Sequence, residues 1–319
     1  MSSLKNINFR PKLIPYLISG NSFSQKPLVV VDVGSRGGYE RHWNLFYNQI
    51  KILGFDPDAK ECQRLVRQLK NSNISYYPYA LWQNIGYKNF YMMSNLPSSS
   101  FFKPNYKFWE RFPDEVNLKI KKIVKVQTTT LDSFTKMSKI PYVDFMKLDI
   151  EGAELAALKG AKKLLQESII GVTCEIAFDQ LLENGPIFNE IDAYLKSFGF
   201  RLFDIGLLRK SLKTLSSNPS LTQSGQVIAG HALYFRDATA EMNSGEIKKW
   251  GEIKILKLAS LFELFGLPDC SIELVETANK KNLFTNFESK SLIKLLIPNG
   301  KTRLIDILKS SILNKNFRR

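Results

Sequence analysis

Four acidic residues stand at or near points where a short apolar run gives out: Asp32, Asp56, Asp149 and Glu175. Carboxylates gathered at one rim repel each other unless they hold a cation, a hydroxyl, a metal or a shared proton. Their convergence would therefore mark a site. The first belongs to the run L-V-V-V-D-V-G-S-R-G-G over residues 28–38. Apolar, mostly β-branched residues that end at a glycine cluster read as a buried parallel strand breaking into a tight turn. The spacing is Asp32-x-Gly34-x-x-Gly37, with Ser35 inside the turn, and it is not the G-x-G-x-x-G dinucleotide fingerprint. Gly34 serves a sharp turn and Gly37 the close approach of a ligand or helix. Asp32 at the carboxyl end of the strand suits a ligand with a cationic end. Asp56 follows it by 24 positions, where nucleoside-binding folds hold ribose hydroxyls.

The elements that must position these acids follow from periodicity. A helix over residues 39–49, carrying Trp43, Phe46 and Tyr47, is expected to follow the glycine turn. Next come a strand over 50–56 and a helix over 59–70, with Pro57 and Asp58 as start signals. A strand over 74–80 ends at Ala80 and Leu81, small and apolar residues suited to flank an adenine ring. Further strands are expected over 86–94, 123–130, 142–150, 168–175, 200–205 and 231–236, the last as an antiparallel edge. Helices are expected over 155–165 and 186–198, with a short one from Leu131. The loops 95–104 and 207–229 are candidates to cover a ligand. Strands alternating with helices give a mostly parallel α/β sheet with helices on both faces, and such sheets bind ligands at the carboxyl ends of their strands.

Bulk properties narrow the class. The net charge of +15 is spread along the chain and is densest at residues 119–125 and 315–319. There is no arginine-rich run, and no aromatic after Asp149 to stack a flipped base, so no nucleic-acid partner is expected. Three distant cysteines offer neither zinc spacing nor a disulfide framework, which suits a reducing, cytoplasmic setting. No apolar run approaches the ~18 residues of a membrane span, and the N-terminus does not read as a secretory signal. From about residue 240 leucine, isoleucine and lysine recur at helical spacing. The expected division is a lead-in over 1–27, a catalytic domain over 28–239 and a helical extension over 240–319, the last a candidate oligomer contact.

Together, V-V-V-D-V-G-S-R-G-G, G-F-D-P-D, T-T-L-D-S-F and D-F-M-K-L-D-I-E-G-A-E-L-A-A-L-K-G-A resemble the FkbM family of S-adenosylmethionine-dependent methyltransferases. The resemblance covers roughly residues 28–236, and K-L-D-I-E-G-A-E is its most specific block. It implies a Rossmann-like class I methyltransferase fold with a mostly parallel seven-stranded sheet. It also implies S-adenosylmethionine as donor and a hydroxyl of a saccharide or related metabolite as acceptor. By the same resemblance Asp32, Gly34, Ser35 and Gly37 would hold the methionine end, Asp56 the ribose, and Ala80 with Leu81 the adenine side. Asp149 would sit beside the sulfonium and the incoming hydroxyl. The turn departs from the family's usual Ala-Asn by carrying Ser35-Arg36, and Asp56 stands where the family commonly has Glu.

A sugar hydroxyl needs a general base or a metal to raise its nucleophilicity. Asp149, Glu154, Glu175 and His231 are the candidates for the base, though Glu151 reads as a helix cap and Glu154 fits helix-end electrostatics just as well; a divalent metal stays unassigned. His42 reads as packing or surface. A second reading keeps the fold but not the catalysis: a silent module whose basic surface and terminal helices bind an acidic glycan or a partner protein.

Overall fold

The computed structural model describes residues 6–69, 72–213 and 225–297. The first half of the chain forms α1 (Leu13–Ser19), β1 (Leu28–Val33), β2 (Ile50–Phe55), α2 (Ala59–Gln68), β3 (Ile74–Tyr77), β4 (Ala80–Leu81), β5 (Gly86–Met93), α3 (Tyr106–Trp109), β6 (Ile120–Thr129) and α4 (Leu131–Met137). Then come β7 (Phe145–Leu148), α5 (Glu154–Lys159), α6 (Lys162–Glu167), β8 (Gly171–Ala177), α7 (Phe188–Lys196), β9 (Phe200–Lys210) and β10 (Gln226–Arg236). The described chain closes with α8 (Ala238–Asn243), α9 (Glu252–Leu264), α10 (Pro268–Lys280) and α11 (Asn286–Leu296).

Seven strands form one sheet in the order β3-β2-β1-β7-β8-β10-β9. The first five are parallel, and β10 runs antiparallel to both β8 and β9. The chain's direction of travel across the sheet reverses at β1 and β7, the place where such sheets open a ligand crevice. This is the Rossmann-like methyltransferase architecture. A second, three-stranded sheet has the order β4-β6-β5.

Alternation along the strands splits the core in two. Val29, Val31, Leu53, Met146, Leu148 and Val172 face α4 to α7. Leu28, Val30, Ile52, Phe145, Leu233 and Phe235 face α1 and the C-terminal helices. Every residue of α9 from Ile255 to Leu264 is buried, as expected of a helix with apolar residues all round. Its Glu263 carboxylate accepts from the backbone N–H groups of Lys12, Leu13 and Ile14 at 2.7, 2.9 and 3.1 Å. A carboxylate there satisfies the free donors of the α1 start.

Several expected elements are corrected. The helix over 39–49 is a 3₁₀ turn, Arg41–Phe46. Trp43 and Phe46, three apart, both enter the core, and 3₁₀ geometry aligns i with i+3. The glycine turn therefore has no long helix N-terminus behind it. The strand over 74–80 divides at Pro78 into β3 and β4, and β4 leaves the main sheet to pair Ala80 with Thr128 and Leu81 with Thr129. The helix over 155–165 breaks at Gly160, where a Cβ would lie 2.1 Å from the Trp82 carbonyl. Asp132 accepts from the N–H groups of Lys163 and Leu164 and restarts the helix as α6. The strand over 168–175 runs instead to Ala177, so Glu175 lies inside β8 rather than at its end. The strand over 231–236 is longer and is no edge: β10 lies between β8 and β9, and β9 closes the sheet. The polar loop expected over 207–229 begins only after Lys210, and its centre, like the basic run 315–319, lies outside the described residues.

Candidate functional site

The β1 turn is built by two tight approaches. The N–H groups of Gly34 and Ser35 both donate to the Phe55 carbonyl, at 2.9 and 3.1 Å, which docks the turn on β2. Gly34 has φ +81°, and a Cβ there would stand 2.0 Å from the Asp149 carbonyl. Only glycine permits both the conformation and the contact. The end of β7 is thereby pressed against the turn, with Asp149 N–H donating to Val33 O at 3.1 Å.

Parallel register sets Asp32 directly beside Lys147. Lys147 Nζ lies 3.1 Å from Asp32 Oδ1 and 3.7 Å from Asp149 Oδ2, and donates to the Gly34 carbonyl at 3.4 Å. One ammonium thus serves two carboxylates and the turn. Burial pushes Asp32 up from its ordinary value, with Lys147 opposing. Burial pulls Lys147 down, but Asp32, Asp149 and Glu40 together outweigh it and the net direction is up. Glu40 faces the same group: burial, Asp32 and Asp149 raise its carboxyl, while Lys147 opposes.

Asp56 is buried at the end of β2. Its Oδ1 accepts from Asp58 N–H at 2.8 Å, and Arg36 Nε lies 3.8 Å from its Oδ2. Arg36 itself reaches Asp58 at 2.8 Å, and Gly37 N–H donates to Glu61 Oε1 at 2.9 Å. The outer half of the turn therefore leans on the start of α2, whose N-cap is Asp58. Ser35 is buried, and its hydroxyl oxygen has no hydrogen-bond partner among the described residues.

A second group of titratable side chains gathers around Asp149. His231 Nε2 lies 4.0 Å from Asp149 Oδ2. His231 and Glu175 are cross-strand partners of β10 and β8. Glu151 occupies φ +51°, uncommon outside glycine and suited to sharp turns. Glu154 Oε1 accepts from Ile150 N–H at 2.9 Å and so closes the same turn. Burial, reinforced by Asp149 and the neighbouring glutamates, pushes Glu151 up to about 8 and Glu154 up to about 7, and raises Glu175 well above the ordinary carboxylate value. Glu151 and Glu154 thus share protons near neutral pH, and Glu175 is raised beside them.

A family profile described as the methyltransferase FkbM domain matches residues 32–202, from Asp32 through β9's first residues. The chain belongs to the FkbM methyltransferase family. Among solved structures it is similar to the methyltransferase FkbM from Methylobacillus flagellatus KT, at 17% identity and TM-score 0.35, covering 71% of this chain and 48% of that one. This chain thus spans about half the length of that relative. It is also similar to a SAM-dependent methyltransferase from Anabaena variabilis, at 11% identity, TM-score 0.32, and 73% and 88% coverage. A SAM-dependent methyltransferase from Aquifex aeolicus matches at 13% identity, TM-score 0.31, and 73% and 93% coverage. Comparison with curated proteins gives no significant match.

Membership in the FkbM family implies S-adenosylmethionine as donor. The donor set fits that group: the buried carboxylate of Asp32 beside the half-buried one of Asp149 for cationic centres, a buried hydroxyl on Ser35 with no partner among the described residues, and Asp56 at the next strand end. Of the remaining sequence candidates, Leu81 packs in the core beneath β1 and Ala80 is buried beside it on β4. His42 packs on Trp43 at 4.5 Å, and burial lowers it to about 4. Among the described residues no three His, Cys, Asp or Glu side chains are set to hold a metal ion, and no helix is long and apolar enough to cross a membrane. Sequence reasoning quoted Lys147 inside K-L-D-I-E-G but gave it no role, and passed over Glu40. The signal for Lys147 was a lone cation in an otherwise apolar strand.

Proposed function

We propose that this FkbM-family protein is an O-methyltransferase that moves a methyl group from S-adenosylmethionine to a hydroxyl of a saccharide or related hydroxylated metabolite. The observation that carries the reading is the meeting of Asp32, Gly34 O and Asp149 around Lys147, with His231 4.0 Å beyond. When bound, the donor supplies an electrophilic methyl on a sulfonium with a good leaving group. The chain's part is alignment and removal of the acceptor proton.

In this reading Asp32, with the Gly34 carbonyl and Ser35 hydroxyl, holds the methionine end. Asp56 holds the ribose hydroxyls, with Gly37 at the open side of the turn and Ala80 and Leu81 behind the adenine side. Lys147 keeps Asp32 and Asp149 from repelling each other. Asp149 faces His231 Nε2–H and stabilises the imidazolium that forms when the other ring nitrogen, Nδ1, accepts the hydroxyl proton. Glu175, raised by burial and by its acidic neighbours, holds its proton and donates to the acceptor.

Two measurements test this. Titration calorimetry with S-adenosylhomocysteine should show binding that Asp32→Ala and Asp56→Ala each weaken. Incubation with methyl-labelled donor and a panel of saccharides should leave alkali-stable label on sugar, as an ether does and an ester does not. His231→Ala should abolish the labelling and spare binding. Absence of any binding at millimolar S-adenosylhomocysteine would sink the proposal.

A further inference from the structure

Residues 86–125 hold eight lysines and arginines against three acids. One of those acids, Glu115, is taken by Lys213 at 2.6 Å. The segment includes β5 and most of β6, which stand outside the seven-stranded sheet as an antiparallel ribbon. Among the described residues no carboxylate pairs with Lys88, Lys121, Lys122 or Lys125.

The composition of one ribbon face is specific. Register pairs Tyr87 with Gln127, Asn89 with Lys125, and Tyr91 with Ile123, and paired residues share a face. Tyr87 is 70% exposed and Ile123 54% exposed, while Asn89, Lys125 and Gln127 are exposed between them. Lys103 lies over the Tyr91 ring at 5.9 Å. Flat tyrosine faces and primary amides line this face, with the ammoniums of Lys125 and Lys103 among them. Tyrosine presents an apolar body with a polar tip, amides both donate to and accept from hydroxyls, and lysine meets an anionic group as a point charge. The exposed apolar residues are too few and too scattered for insertion into lipid. A nucleic-acid surface would call for guanidinium forks and continuous stacking, and this face has no arginine.

The ribbon is fastened to the acidic rim with no layer between. Ser100 bridges to Tyr91 at the β5 edge, and its hydroxyl donates to the Glu151 carbonyl at 2.6 Å. The strip continues through Pro104, which bridges to Leu182. A chain lying along the ribbon thus ends beside Asp149, Glu151 and Glu175. With Glu151 and Glu175 raised and Lys147 already shared with Asp32 and Asp149, that rim gives an anionic substrate little attraction of its own, so a substrate of that charge docks through an adjoining cationic platform.

We propose that the Tyr87–Asn89–Tyr91 and Ile123–Lys125–Gln127 face binds an anionic glycan, whose negative groups rest on the ribbon lysines while a neutral hydroxyl is presented to the rim. This deepens the O-methyltransferase reading and rests on it for the acceptor role. The probe is a fluorescein-labelled oligogalacturonate, read by polarisation with the full chain at rising salt. Wild type binds it, and the affinity falls as salt rises. Lys103→Glu/Lys125→Glu weakens binding at least about tenfold, Lys103→Gln/Lys125→Gln weakens it less but clearly, and Tyr87→Ala weakens it about threefold. All three variants keep wild-type melting temperature and wild-type affinity for S-adenosylhomocysteine. Unchanged oligogalacturonate binding in the charge-reversed variant overturns the proposal, as does tighter wild-type binding to single-stranded RNA or to anionic phospholipid vesicles. Ribbon-dependent glycan binding without any S-adenosylhomocysteine binding supports this surface and sinks the donor reading instead.

Discussion

Two lysine–aspartate pairs bracket the β1–β7 strand pair, and they differ in how completely each is satisfied. At the amino end, Lys257 of α9 donates to Asp144 Oδ2 at 2.7 Å and to Pro27 O at 2.9 Å, with its ammonium 4.4 Å from the Tyr142 ring centre. The same Asp144 oxygen accepts from Val29 N–H at 2.8 Å. Both side chains are almost wholly buried. At the carboxyl end, Lys147 is divided between Asp32 and Asp149 at longer distances, Ser35 Oγ is left over, and Asp149 is a third exposed. The chemistry is the same, but the first cluster uses its valences on the protein while the second keeps some for a ligand. A buried pair with all bonds made reads as architecture; one with bonds outstanding reads as a site.

The comparison is broken most forcefully at the amino end. Asp144→Ala leaves Lys257 buried without its counter-ion, and urea unfolding should show a loss of about 3–5 kcal/mol. The fraction that stays folded should bind S-adenosylhomocysteine as wild type does. If the stability loss is small, the amino-end cluster is not the structural one. At the carboxyl end Asp32→Asn should do the reverse. Calorimetry should record a loss of about 2 kcal/mol in S-adenosylhomocysteine binding, some thirtyfold, with melting temperature held or raised. A fall in stability matching that of Asp144→Ala would erase the distinction.

Next in size is a pH effect. Glu151 and Glu154 are raised to about 8 and about 7 in the folded chain, above the ordinary glutamate value. The folded state then binds more protons than the unfolded state in that window, so their stabilising contribution is full below the unfolded value. It is lost as pH rises through 7 and 8. Melting temperature should therefore decline from pH 6 to pH 9, and Glu154→Gln should flatten the decline; an unchanged slope in the variant counts against the shared-proton cluster. The smallest effect belongs to Arg36→Ala. Its partner Asp58 is 2.8 Å away but both side chains are about 40% exposed, so stability should move by about 0.5 kcal/mol or less.

Much of the parallel half was legible because apolar runs and turn chemistry agree there. Leu28 to Val33 and Ile50 to Phe55 form strands near the places periodicity sets them, and Asp58 caps α2 as its spacing predicts. The C-terminal side was harder. β9 buries only Phe200 and Gly206 while β10 is buried over most of its length, yet in sequence both read as short apolar runs, which do not tell which of two antiparallel neighbours is the edge. Trp43 and Phe46 at i and i+3 suit an α-helix and a 3₁₀ turn equally, so the short turn went unread. Pro78 is a strand breaker, but nothing local says that the residues after it join another sheet. Lys147 was hidden because a charged residue in a strand ordinarily points to water, and its partner Asp32 lies 115 positions earlier.

Gly34 carries one more consequence. Because the Asp149 carbonyl occupies the space its Cβ would need, the β1 turn and the end of β7 abut backbone to backbone, with no side chain as a spacer. The separation of the two strand ends is then set by main-chain geometry and is indifferent to rotamers. Substitutions in the surrounding loops and ribbon can remodel what is brought to the rim without retuning the spacing between the Asp32 and Asp149 strand ends. Residue 34 and the end of β7 can change only as a matched set.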